Sequence, residues 1–79
     1  MWQKSRYDRQ MLKRHLAQAE KHIATGDKNI VRQWNFIAKL QLGKHDTAKA
    51  RAILELFEEL QAMHVADRER ILREFGEEG

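Results

Sequence analysis

Seventy-nine residues without a cysteine or a proline allow one domain, 1–79, and exclude a disulfide framework and any cysteine-based zinc site. Hydrophobic residues make up 42% and charged residues 34%, with a net charge of only +3, which is not the composition of a disordered chain. No apolar run approaches the roughly 20 residues of a membrane span, and the opening MWQKSRYDRQ lacks the features of a signal peptide, so cytoplasmic residence is expected.

Glycine is confined to Gly26, Gly43, Gly76 and Gly79, while Ala, Leu, Glu, Lys, Arg and Gln dominate. That is the vocabulary of long helices. The charge is unevenly divided. Residues 1–42 carry nine Lys/Arg against three acids, net +6, and residues 43–79 carry six against nine, net −3. Two helices of opposite charge would attract along their flanks.

In chain order, a basic segment comes first. Residues 1–11 hold Lys4, Arg6 and Arg9 with Trp2 and Tyr7, and Lys13 and Arg14 follow closely. From Leu12 the positions Leu12, Leu16, Ala19, Ile23, Gly26, Ile30, Gln33, Ile37 and Leu40 alternate spacings of four and three. This heptad seam predicts a long helix over about 4–42. Ala24-Thr25-Gly26-Asp27 admits a second reading, in which glycine caps one helix and Asp27 starts another, giving a three-helix bundle with a break at Gly26. The seam stays in phase across the glycine, which favours the continuous helix; a mid-helix glycine costs about 1 kcal/mol relative to alanine.

Gly43 is then the expected left-handed cap, 43–46 the turn, and Asp46 or Thr47 the acceptor for the first free amides of the next helix. The second helix is expected over about 47–75, ended by Gly76, with 76–79 as a frayed tail. Its seam is Ala50, Leu54, Phe57, Gln61, His64, Arg68, Ile71 and Phe75. Folded back antiparallel, the two seams pair residues whose numbers sum to about 90. In that register Gly26 faces His64 and makes room for its ring, and the first residues overhang. The fold class is all-α: an antiparallel two-helix hairpin.

The strings HLAQAEKHIATG (15–26) and HDTAKARAILELFEELQAMHVADRERIL (45–72) resemble a group of short bacterial proteins of uncharacterised function. Those proteins repeat histidines at heptad spacing, then carry a glycine, a GHDT-like turn and an acidic helix ending in a DR-rich segment. Here Asn29 stands where a third histidine after His15 and His22 would fall. The resemblance implies a helical hairpin and no activity.

The side chains that could carry chemistry are few. His15 and His22 lie two helical turns apart, about 10 Å, too far to share one metal ion. They would need His64, Asp67 or Glu69, or a second subunit. Gln61, His64 and Arg68, with Gly26 opposite, form a polar stripe in the seam, of the kind that fixes register and partner number. No Gly-rich phosphate loop and no paired-carboxylate spacing occurs, and Ser5 lies in the overhang. No catalytic residue, metal or cofactor is therefore assigned, and the chain is not expected to be an enzyme.

Apolar residues outside the seams remain. Ala17, Ala24, Val31 and Ala38 recur every seven residues with Trp34 beside them, and Ile53, Leu56, Leu60 and Met63 lie off the second seam. A lone hairpin cannot cover both sets. Val31, Trp34, Phe36, Ile53, Leu56 and Leu60 are thus the candidate self-association residues, and a homodimeric four-helix bundle is the simplest closed arrangement. The expected function is a non-enzymatic self-association or protein-interaction module. The alternative is a small nucleic-acid-binding protein using Lys4, Arg6, Arg9, Lys13 and Arg14 on phosphates.

Overall fold

The computed structural model describes residues 9–78 and places them in two helices, α1 (Arg9–Leu42) and α2 (Ala48–Glu78). They run antiparallel along one another, α1 extending about 51 Å at the standard rise over its 34 residues. α1 passes through Gly26 without a break, so the chain is a hairpin and not a three-helix bundle. Every member of both heptad seams is buried or half-buried. Two helices in contact bury one stripe each, and the alternating 3-4 spacing is that stripe.

The buried residues fall into two clusters. Near the turn, Ile37, Ala50 and Leu54 close together with Ile30 and Leu40 against them. Toward the open end, Leu12, Ala19 and Ile71 form the second cluster, flanked by Leu16 and Phe75. Leu12 is 0% exposed, and the Arg9 guanidinium lies over the Phe75 ring at 5.3 Å. Residues 9–11, expected in the overhang, therefore belong to the hairpin; the rest of that segment, with Lys4 and Arg6, lies outside the described residues.

The turn differs from expectation. The left-handed residue is Lys44 (φ 61°), not Gly43. The Lys44 amide donates to the Gln41 carbonyl and the His45 amide to the Leu40 carbonyl, at 3.0 and 2.8 Å, the pair of bonds that defines a Schellman ending with Lys44 as its left-handed member. Gly43 serves a different need. A Cβ there would come within 2.8 Å of the His45 ring, so the missing side chain lets that ring fold back over the helix end.

On the far side of the turn, Asp46 Oδ1 accepts from the Ala48 amide at 3.0 Å. The Thr47 carbonyl accepts the Arg51 amide at 2.9 Å, opening α2. The other end also departs from expectation: α2 continues through Gly76 to Glu78. A glycine ends a helix by taking a left-handed φ, and among the described residues no glycine has a positive φ. Gly76 keeps helical backbone angles and so extends α2 instead of closing it.

Candidate interaction surface

The polar stripe is built by α2 against the middle of α1. Gln61, and not His64, lies over Gly26. A Cβ at residue 26 would stand 1.8 Å from Gln61 Oε1, so the expected Gly26–His64 pairing is corrected by one seam position. The reason is geometric: a side chain from one helix seats between four residues of the other, not opposite a single one. Gln61 seats against Ile23, Gly26 and Asp27. Its Nε2 donates to the Ile23 carbonyl at 2.9 Å and to Asp27 Oδ1 at 2.8 Å. Those two acceptors fix the amide's orientation and turn the buried Oε1, which has no hydrogen-bond donor, onto the glycine.

His64 meets His22 instead, with ring centroids 5.0 Å apart and planes tilted by 44°. The Gln18 amide lies 3.2 Å from His22 Nε2. Arg68 reaches Glu20 across the seam at 3.5 Å and Glu69 on its own helix at 3.4 Å. Asp67 and Glu74 both bond Arg70, and the Asp67 hydrogen bond, before all else, raises the pKa of that guanidinium. Closer to the turn, Gln33 Nε2 donates to the Ala50 carbonyl at 2.9 Å, away from the Phe57 that register alone placed opposite it.

Among the described residues, no group of three or more His, Asp or Glu side chains converges where it could hold a metal ion. No helix among them is long and apolar enough to cross a membrane.

All six candidate self-association residues are exposed, but they do not form one surface. Helical position divides them between the two flanks of the seam. Val31 and Trp34 lie on the flank that carries Glu20 and Asp27, the residues that reach Arg68 and Gln61. Val65 and Leu72 share that flank on α2. Phe36, Ile53, Leu56 and Leu60 lie on the opposite flank, joined there by Met63, which is also exposed.

This second flank is also where the surface is hollowed. A depression of about 230 Å³ is lined by His22, Thr25, Asn29, Phe57, Leu60 and His64, among others. A smaller one of about 160 Å³ lies beyond it toward the open end, between His15, Gln18, Asp67 and Arg70. The division into two flanks is encoded in heptad position. A count of apolar residues misses it unless each is assigned to one side of the seam.

The basic residues of α1 stand apart from this. Arg9, Lys13 and Arg14 are exposed, as are Lys21, Lys28, Arg32 and Lys39. All four ion pairs among the described residues take their cation from Arg68 or Arg70 of α2.

No protein-family model, curated protein or solved structure matches the chain.

Proposed function

We propose that the chain is a non-enzymatic, cytoplasmic self-association module whose working form is a homodimer, two hairpins closing into a four-helix bundle. The observation that carries this is the uncovered apolar row of Phe36, Ile53, Leu56, Leu60 and Met63 beside the seam. Contiguous apolar surface of this kind on a small chain marks an interface. The size of the core points the same way. Six of the described residues are buried, few for two helices of 34 and 31 residues, and small cores of this sort commonly gain stability from a partner.

Light scattering on the purified protein at micromolar concentration tests the reading. Twice the chain mass is expected, and a monomer across that range overturns it.

A second reading rests on a separate observation, the exposed lysines and arginines of α1 that no ion pair among the described residues engages. A nucleic-acid-binding protein would present such a row to phosphates. Its affinity would fall steeply between about 50 and 200 mM salt. No binding to DNA or RNA at low salt removes this reading and leaves the first intact.

A further inference from the structure

The distribution of side chains bears on which flank would meet a partner and in which orientation. We infer that two copies associate through the flank carrying Phe36, Ile53, Leu56 and Leu60, with both turns at the same end of the bundle. This rests on the self-association reading above and specifies its geometry.

The choice of flank comes from what lies between the apolar groups. On the Val31–Trp34 flank the positions beside the seam run Lys13, Glu20, Asp27 and Trp34 on α1, and Arg51, Glu58, Val65 and Leu72 on α2. Charges interrupt that surface along its length, and each would have to be desolvated on association. The other flank holds its seam-side charges, Asp67 and Glu74, at the open end, and Arg32 and Lys39 in the outer row of α1, so the seam-side positions near the turn are uncharged. Ile53 to Met63 spans about 15 Å of helix at the standard rise, Phe36 lies level with Ile53, and the intervening seam-side position is the uncharged Asn29. An apolar surface without buried charges is what the centre of an interface requires.

Orientation is set by charge and overlap together. Two hairpins can meet face to face about a twofold axis along the helices or about one across them. With the axis along the helices, each α1 lies beside the partner's α2, the turns coincide, and the two apolar patches cover one another. With the axis across, α1 lies beside the partner's α1 in reverse. α1 carries seven Lys/Arg and two acids, net +5, and α2 carries five against eight, net −3. The crossed arrangement sets +5 against +5. It also lays the apolar patch near one turn over the region of the other copy that carries His15, Asp67 and Arg70, or else leaves most of each hairpin unpaired. Complementary charge and full overlap favour the first arrangement.

The absence of cysteine makes the test direct, since any cysteine introduced is the sole label site. Leu42 is 85% exposed at the turn end, and Arg14 is exposed near the open end. Spin labels on Leu42→Cys and, separately, on Arg14→Cys should both report separations below about 35 Å, the width of a four-helix bundle plus the label arms. A dimer in which either pair lies beyond about 50 Å, on the order of the hairpin's own length, overturns the shared-end arrangement.

The flank is tested by mass. Leu56→Glu should halve the mass seen by light scattering while helicity by circular dichroism is retained, and Val31→Glu should leave the dimer intact. A dimer that survives Leu56→Glu and is lost with Val31→Glu overturns the flank but not self-association. A monomeric native protein overturns self-association itself. The labelled proteins keep the patch residues unchanged, so the distances decide the orientation even where Leu56→Glu perturbs folding.

Discussion

The Gln61 amide oxygen occupies the space where a side chain on Gly26 would begin, while the amide nitrogen bonds Ile23 and Asp27 on the same helix. Glycine and glutamine act here as one unit across the seam. The prediction is a non-additive pair. In a Gln61→Ala background, Gly26→Ala should stabilise the hairpin by about 1 kcal/mol, the ordinary gain of alanine over glycine within a helix. In the native background the same substitution displaces the glutamine from two acceptors, each worth about 1 kcal/mol, so the gain should vanish or reverse. Urea unfolding of the four proteins measures the coupling, and additive effects within about 0.3 kcal/mol would show that the pair is incidental.

At the turn, the residue in the left-handed region is Lys44, a conformation that costs a side-chain-bearing residue about 1 kcal/mol or more. Lys44→Gly should therefore stabilise the protein by about 0.5–1 kcal/mol. Gly43→Ala should change stability little. The helix gains an alanine, and the exposed His45 ring is displaced outward. If thermal melts instead show Gly43→Ala costing well over about 1 kcal/mol and Lys44→Gly without benefit, Gly43 carries the turn after all.

The two apolar clusters lie at opposite ends of the hairpin, so each end should fail separately when truncated. Leu12→Ala and Ile37→Ala remove the two most completely buried side chains and should each cost about 2–5 kcal/mol. For a core this small that is enough to make the helical signal melt broadly or be lost at room temperature. Leu42→Ala, at an exposed position of the same helix, should stay within about 0.5 kcal/mol of the native protein. A Leu12→Ala protein as stable as the native one would mean that the N-terminal end of α1 does not dock on α2.

Much of this fold is legible in the sequence, because a two-helix contact writes itself there as one stripe. Leu12 to Leu40 and Ala50 to Phe75 mark that stripe without error, and its unbroken phase carries α1 through Gly26. The details that escape the pattern depend on side chains reaching past their own layer. Gln61 and His64 differ only in which hollow of α1 each enters. The left-handed residue is Lys44, one place beyond Gly43, and the His45 ring takes the space that a side chain on Gly43 would fill. Gly76 has the identity of a terminator, but identity only permits a left-handed φ and does not impose one.

The polar stripe supplies the last prediction. Gln61, His64 and Arg68 are half-buried in a seam that is otherwise largely apolar, and the Arg68–Glu20 pair, with side chains 36% and 53% exposed, contributes at most ~1 kcal/mol. Polar groups in such a position stabilise less than leucine would, and their value is in excluding other registers and other partner numbers. Replacing all three, Gln61→Leu, His64→Leu and Arg68→Leu, should raise the melting temperature and at the same time broaden the mass distribution, because a uniform leucine seam pairs equally well after a shift of one heptad. Calorimetry and light scattering on the same sample check both halves. A triple variant that stays uniform in mass and melts at a lower temperature would mean that these side chains stabilise the native hairpin directly, through the Gln61 hydrogen bonds and the His22–His64 contact, and do not act by excluding its competitors.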